Sequence, residues 1–224
     1  MRQTGFRFRT WGGKRARAGR KPRGAQALVP HLPRRILAGA RPVHVTMRVV
    51  AGLPSLRERV LFGVFESAIA RAPLGRARDS FRVVHYSVQN DHVHLIVEAD
   101  GANALRRGAQ GLAIRLARSV NAALARRGRV WADRFHTREL RTPREMRNAL
   151  VYVLQNARKH RRGWPGGAPF DRFSSARAFD GWRELRARDA VTAIPWLFRA
   201  RTWLAGAGWR RHGLVSIEEV PRGD

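Results

Sequence analysis

The chain contains no cysteine, which excludes disulfide bonds, thiolate metal sites and a cysteine nucleophile. No apolar run approaches the roughly 20 residues that cross a bilayer, and the basic N-terminus is not followed by the apolar core of a secretory signal. Acidic residues are also few, since 16 Asp and Glu stand against 45 Lys and Arg. We therefore expect a soluble cytoplasmic protein without a membrane partner.

The shortage of acidic residues leaves a net charge of +29 on 224 residues. Such a charge opposes compact folding because like charges repel each other. The requirements of the fold therefore do not explain the net charge. A polyanion is the expected partner, with nucleic acid as the first candidate, and its binding should depend strongly on salt. Only three of the 45 basic residues are Lys, and part of this excess of Arg is typical of a GC-rich genome.

Residues 1–40 form the first predicted region and contain no acidic side chain. Between residues 12 and 24 Gly and Arg dominate, with neither the period of a strand nor that of a helix. This composition predicts a disordered basic arm that follows phosphates, and a plain solvated tail is the alternative. The arm residues that we expect to contact nucleic acid are Arg15, Arg17, Arg20, Lys21 and Arg23.

Hydrophobic periodicity predicts the order β-α-β-β-α-β, followed by one more helix. Strands are predicted at residues 43–50, 81–88, 92–98 and 134–140, and helices at 55–72 and 105–124. Capping boxes are predicted at Ser55 with Glu58, and at Thr142 with Glu145, where the last helix begins and runs to about residue 160. The order predicts an α+β, ferredoxin-like fold: a four-stranded antiparallel sheet with two backing helices, to which the last helix is added.

The segment of residues 89–98 carries the first candidate site. His92 and His94 lie two residues apart, so they share one face of a strand whose other face is apolar. Two imidazoles at this spacing form half of a divalent metal site if further ligands come from elsewhere in the chain. The simpler alternative is a pair of histidines on a solvated strand face.

The last helix carries the second half of that candidate site. Tyr152 and Asn156 are four residues apart and share a helical face, and Gln155 lies close to them. Beside a metal-bound phosphodiester, a tyrosine oxygen can attack phosphorus and form a phosphotyrosyl link. Taken alone, Tyr152 would more often be a core or surface aromatic side chain, and Asn156 a surface amide.

Several of these motifs together resemble a known family. The His92-Val93-His94 run, followed by three apolar residues, is similar to the His-hydrophobic-His motif of the HUH nucleases. With Tyr152 on a later helix, the chain resembles the single-tyrosine HUH transposases, in particular the REP-associated tyrosine transposases of bacteria. The resemblance covers about residues 41–162, with its motifs at residues 42–48, 90–95, 131–135 and 152–160.

The resemblance implies a role for each matching residue. Tyr152 would be the nucleophile, and His92, His94 and Asn156 would hold a divalent metal, Mg²⁺ or Mn²⁺, with Gln155 as the fallback ligand. Ala157 stands where many members of the family have proline, which leaves the ligand geometry open. The other histidines match no role in the family and are expected to be structural or to face phosphates.

The resemblance also implies an activity and a partner. It implies a single-stranded DNA endonuclease and strand transferase, or transposase, that acts beside REP-like hairpins through a 5′-phosphotyrosyl intermediate. The protein would work in the bacterial cytoplasm at the nucleoid, as a monomer or a homodimer. The alternatives are a non-catalytic binder of structured DNA or RNA that keeps this fold, and a basic structural protein of the ribosomal type.

The chain divides into a basic arm (1–40), a transposase or nuclease domain (41–162) and a basic, Trp-rich C-terminal extension (163–224). Five of the seven Trp lie in the extension among arginines, in what should be a small helical region. These aromatic side chains can stack nucleic-acid bases, or they can form an apolar cover on the core. Further expected nucleic-acid contacts are Arg48, Arg115, Arg118, Arg134, Arg158 and Lys159.

Overall fold

A computed structural model describes residues 40–71, 80–159, 169–185 and 193–221, so nearly all of the predicted arm lies outside the described residues. The main elements are β1 (Arg41–Arg48), α1 (Arg59–Ala70), β2 (Phe81–Val88), β3 (His92–Ala99), α2 (Ala102–Ala123), β4 (His136–Glu139), α3 (Pro143–Leu154) and α4 (Asn156–Lys159). The C-terminal part adds α5 (Trp203–Gly206) and 3-10 helices at Ser175–Ala178 and Gly208–His212. In these described ranges, none of the helices combines the length and the apolarity that a membrane crossing requires.

The four strands form one antiparallel sheet in the order β2-β3-β1-β4. This order is that of a ferredoxin-like sheet, and the predicted α+β class with a four-stranded antiparallel sheet is confirmed. The central pair β1 and β3 sets Thr46 opposite His94 and Arg48 opposite His92. A bulge between Val83 and His85 shifts the β2–β3 register, because β2 has one extra residue there.

One face of the sheet is apolar and packs on α1 and α2. Alternate residues of a strand point to the same face, so every second residue of β1 and β3 enters this core. The two helices bring the apolar side chains that their helical spacing predicted. The buried members of the cluster include Val43, Val45, Met47, Val93, Leu95, Val97, Leu61, Phe65, Leu112 and Leu116.

The opposite face of the sheet is covered by α3 and by parts of the C-terminal region, of which residues 169–185 and 193–221 are described. A second apolar cluster joins Ile96 of β3 to the buried side of α3 and to Trp182 and Trp209, each 1% exposed. These two Trp therefore belong to an apolar cover packed on the core, the second of the two possibilities that the sequence left open. Trp203 differs, since it is 54% exposed and lies under the guanidinium of Arg211.

The predicted start of α1 is wrong. The helix begins at Arg59, after Glu58, whose side chain makes no capping bond. The Ser55 hydroxyl is used instead in a turn, where it accepts from the Arg57 backbone N–H and donates to the Asn90 side-chain oxygen. Ser55 thus ties the loop after β1 to the β2–β3 turn rather than opening the helix.

The predicted capping box of α3 is present, but the helix ends earlier than expected. The Thr142 hydroxyl accepts from the Glu145 N–H, and the Glu145 carboxylate accepts from the Thr142 N–H, both at 3.2 Å. The α-helix stops at Leu154, and Gln155 separates it from the short helix α4. Tyr152 and Asn156 therefore do not lie on one uninterrupted helix.

Candidate active site

The two histidines of the His-x-His motif lie on the sheet face that α3 covers. The alternation of β3 sends Val93 into the apolar core and its neighbours His92 and His94 to the other face. Their ring centroids are 4.7 Å apart, and the rings are nearly perpendicular. His94 is 3% exposed, whereas His92 is half-buried near the end of the sheet.

His92 is oriented by the residue before it. Its Nδ1 lies 2.6 Å from a carboxylate oxygen of Asp91, which also forms an ion pair with Arg48 at 3.2 Å. Burial alone would raise the pKa of the Asp91 carboxyl, but the contact with His92 and the charge of Arg48 hold that pKa below its ordinary value. The Asp91 carboxylate accepts a hydrogen bond when the proton of His92 lies on Nδ1, which leaves Nε2 on the side of the ring away from this contact.

His94 is held by β1. Its Nδ1 lies 3.2 Å from the Thr46 hydroxyl and 3.2 Å from Nε2 of His44. The pairing of β1 with β3 creates both contacts, since Thr46 is opposite His94 and His44 is opposite Ile96. The family resemblance gives His44 no role. A ferredoxin-like fold pairs β1 with β3, and that pairing could have placed His44 beside the His-x-His motif.

Tyr152 reaches the same sheet face from α3. Its half-buried ring meets His94 edge-on at 5.0 Å between centroids, and meets His44 edge-on at 5.7 Å. The apolar side of α3, which includes Leu150 and Val153, packs in the second cluster and thereby sets the position of the helix. The structure thus brings together the tyrosine and both motif histidines from elements about sixty residues apart.

The two candidate amides after Tyr152 have different surroundings. Gln155 is 1% exposed, and its Nε2 donates to the backbone oxygens of Ser216 and Ile217 while its Oε1 accepts from Arg158. These bonds turn Gln155 toward the C-terminal region, which does not fit a ligand role. Asn156 is also 1% exposed, and its Oδ1 is buried without a hydrogen-bond partner among the described residues.

These donors fit a divalent metal in part. His92 and His94 each have Nδ1 engaged within the protein, so Nε2 is the nitrogen that each could turn to a metal. The buried oxygen of Asn156 is the type of atom that a hard cation binds. Within the described ranges no three His, Asp or Glu side chains are grouped to hold a metal, so a metal at the two imidazoles needs a further ligand, for which Asn156 is the candidate that the sequence predicted.

The predicted nucleic-acid contacts fall into four groups, of which Arg158 alone forms the last. Arg48, Arg118 and Arg134 are exposed. Arg115 is half-buried and donates to the Ala68 carbonyl oxygen, and its burial lowers its pKa. The arm arginines, Lys21 and the side chain of Lys159 lie outside the described residues.

Arg158 does not fit the predicted contact with nucleic acid. It is 8% exposed, and its guanidinium donates to Gln155, Glu218 and the Pro169 carbonyl oxygen. A guanidinium with its donors engaged in this way holds the C-terminal region to α4 instead of reaching a phosphate.

The comparison with solved structures finds proteins of similar structure. No protein-family model matches the sequence, and no curated protein is similar to it. A solved structure of a REP-associated tyrosine transposase bound to a REP hairpin is similar over 66% of this chain and 82% of that chain. The identity is 18% and the TM-score is 0.49, values at which the likeness tells nothing about activity or partner.

Proposed function

We propose that the protein is a metal-dependent endonuclease and strand transferase of single-stranded DNA, with Tyr152 as its nucleophile. The observation that carries the proposal is the meeting of Tyr152 with His94, at 5.0 Å between ring centroids, on the face that also holds His92. A tyrosine with only a structural role does not require two adjacent imidazoles, whereas phosphotyrosyl chemistry requires the tyrosine and the metal-binding histidines at one place.

The chemistry of the tyrosine is a displacement at phosphorus. The Oη atom of Tyr152 loses its proton to solvent and forms a new O–P bond with a phosphodiester of the DNA. The bond from phosphorus to the 3′-oxygen of the preceding nucleotide breaks, and that oxygen takes a proton to become a 3′-hydroxyl. The DNA is then held through a 5′-phosphotyrosyl ester, which a 3′-hydroxyl can later attack to complete strand transfer.

The remaining groups of the proposed site would hold a metal ion that binds the substrate, and they exclude water. His92, His94 and Asn156 would hold Mg²⁺ or Mn²⁺, which when bound neutralises charge on the phosphodiester oxygens. The burial of His94 and Asn156 places this part of the site out of contact with solvent, which strengthens electrostatic interactions there.

The charge of the molecule supports a nucleic-acid substrate. Exposed Arg48 lies beside the Asp91–His92 pair at the end of the sheet, and the chain as a whole carries a net charge of +29. An extended DNA strand could reach Tyr152 past this arginine. The resemblance stated above supports hairpins of the REP type beside the cleavage site, in a bacterial cytoplasm.

An adduct assay tests the proposal. Single-stranded hairpin DNA from the flanks of the gene is incubated with the protein and Mn²⁺, or with a chelator, and resolved on a denaturing gel. We expect a covalent protein–DNA band with the wild type and Mn²⁺, and none with Tyr152→Phe or with chelator.

Tyr86 provides the matched control, because it is the other tyrosine of the chain and is buried on the opposite side of the sheet. Tyr86→Phe loses only a 3.4 Å hydrogen bond to Glu66 and should keep the adduct. Tight binding of the hairpins without cleavage or adduct would contradict the enzyme and favour the non-catalytic binder of structured nucleic acid. Absence of binding at moderate salt would contradict both.

A further inference from the structure

His44 is a third imidazole at the candidate active site, and the proposed chemistry gives it no task. It lies on β1, half-buried, with Nε2 at 3.2 Å from Nδ1 of His94 and its ring edge-on to Tyr152. Its position follows from the register, which sets it opposite Ile96, two residues beyond His94 on β3. The contact joins two strands that are fifty residues apart in sequence.

The His44–His94 contact matters because a neutral imidazole carries one proton on two nitrogens. If His94 offers a lone pair at Nε2, its proton must lie on Nδ1, and Nδ1 then needs an acceptor. The Thr46 hydroxyl, also 3.2 Å from Nδ1, can either donate or accept, so it fits both tautomers. Nε2 of His44, when its own proton lies on Nδ1, can only accept.

His92 shows the same arrangement with a different partner. The Asp91 carboxylate lies 2.6 Å from Nδ1 of His92, where its oxygen can accept a hydrogen bond. Each imidazole of the motif thus has a partner at Nδ1 that is able to accept: a carboxylate from the turn for His92 and, when its own proton lies on Nδ1, the His44 imidazole from β1 for His94. Such partners fix the tautomer and the ring orientation of metal-binding histidines.

We propose that His44 is a positioning residue that holds the proton of His94 on Nδ1 and so presents Nε2 of His94 to the metal. The proposal rests on the proposed function, since it takes His94 to be a ligand. His44 itself binds neither metal nor DNA. Its ring also packs against both His94 and Tyr152, at 5.2 and 5.7 Å between centroids, so the variants must separate the role of the ring from that of Nε2.

Two substitutions distinguish the role of His44 as a hydrogen-bond acceptor from the packing of its ring. His44→Phe keeps an aromatic ring beside Tyr152 but removes the acceptor. His44→Gln loses the ring but can place a carbonyl oxygen near the position of Nε2. We expect Mn²⁺ affinity, measured by calorimetry without DNA, to fall about 10- to 100-fold in His44→Phe and to stay near that of the wild type in His44→Gln. Urea unfolding of each variant verifies that it folds.

A second measurement needs no metal. Long-range ¹H–¹⁵N correlation spectra report which nitrogen of His94 carries the proton in the metal-free protein. We expect the Nδ1–H form in the wild type and in His44→Gln, and a mixture of the two tautomers in His44→Phe. A structural role of the ring alone would leave this tautomer unchanged, so the measurement separates positioning from packing.

Three outcomes would overturn the proposal. The first is unchanged Mn²⁺ affinity in His44→Phe, and the second is an unchanged Nδ1–H tautomer of His94 in that variant, which would show that Thr46 suffices. The third is an equal loss of Mn²⁺ affinity in both variants, which would make His44 a ligand. Absence of Mn²⁺ binding by the wild type would contradict the proposed function instead, and the tautomer would still decide the role of His44.

Discussion

At the scale of the residue, His85 links the stability of the fold to pH. It is buried on the sheet face beneath the C-terminal region, with Nδ1 at 3.2 Å from the Ser175 hydroxyl. Burial lowers its pKa from 6.5 to about 4, although the charges of Asp180 and Glu98 oppose this shift. Between these values the unfolded chain binds a proton that the folded protein does not.

The free energy of unfolding should therefore fall as the pH decreases from 6.5 to about 4. The complete contribution of this one side chain is about 3 kcal/mol. Urea unfolding at pH 7 and pH 4.5 measures the difference. In His85→Gln the difference should be smaller than in the wild type, whereas in His136→Gln, which alters an exposed histidine of β4, it should be unchanged. Equal pH dependence in His85→Gln and the wild type would contradict this assignment.

The sequence predicted the candidate site as far as local patterns reach. Strand alternation was enough to place His92 and His94 on one face, and the roles given to them and to Tyr152 stay predictions. The position of His44 depends on the pairing of two strands that are distant in sequence. The partners of Gln155 lie some sixty residues further along the chain, so no local pattern could show that its amide is engaged.

At the scale of the element, the C-terminal region is fastened to the tyrosine helix by Arg147. This α3 side chain is 13% exposed and forms two 2.8 Å hydrogen bonds to the Glu219 carboxylate. It also donates to the backbone oxygens of Gly213 and Leu214, each at 3.0 Å. Burial alone would raise the pKa of Glu219, but the bonds from Arg147 hold that pKa below its ordinary value.

Loss of this guanidinium should loosen the cover over α3. We expect Arg147→Ala to lower the free energy of unfolding by about 3 kcal/mol, because it leaves a half-buried carboxylate and two carbonyl oxygens without their donor. Limited proteolysis within residues 213–221 should become faster in parallel. Arg144→Ala, on an exposed position one turn earlier in α3, is the control and should change neither quantity. Equal effects of the two substitutions would show that the clamp contributes nothing specific.

The elements themselves were largely predictable, and their ends less so. The span of β2 matches its prediction and that of β3 extends it by one residue, because alternating β-branched runs are a strong local signal. The start of α1 was wrong because the Ser55 hydroxyl bonds to Asn90 of a distant turn. The interruption of α3 at Gln155 has the same type of cause, a tertiary contact with Ser216 and Ile217.

At the scale of the whole molecule, two of the few carboxylates are buried in the part of the chain that the structure describes. Glu98 is fully buried and accepts from Arg82 and from Thr202 at the start of α5, and Asp171 accepts a bidentate pair of bonds from Arg57. The bond from Thr202 joins the sheet to the C-terminal region, and the ion pair of Arg57 with Asp171 joins the loop before α1 to that region. Since 16 acidic residues face 45 basic ones, most of the positive charge is left for a partner outside the chain.

We expect the positive charge of the chain to act through phosphate contacts of the arm and not as a uniform field around the protein. In the full-length chain, we expect replacement of Arg15, Arg17 and Arg20 by Gln to reduce the slope of log affinity for single-stranded DNA against log salt concentration. The reduction should be about 2, because each phosphate contact on a single strand contributes roughly 0.7 to the slope. Fluorescence anisotropy of a labelled hairpin between low and moderate salt measures it.

The matched control removes the same charge from the helices on the sheet face opposite to Tyr152. Arg59, Arg106 and Arg107 are exposed on α1 and α2, which pack on the sheet face opposite to Tyr152. Their replacement by Gln should leave the salt slope nearly unchanged, since none of these three is among the expected nucleic-acid contacts. If both triple variants lower the slope equally, the arm makes no contacts of its own, and net charge alone attracts the DNA.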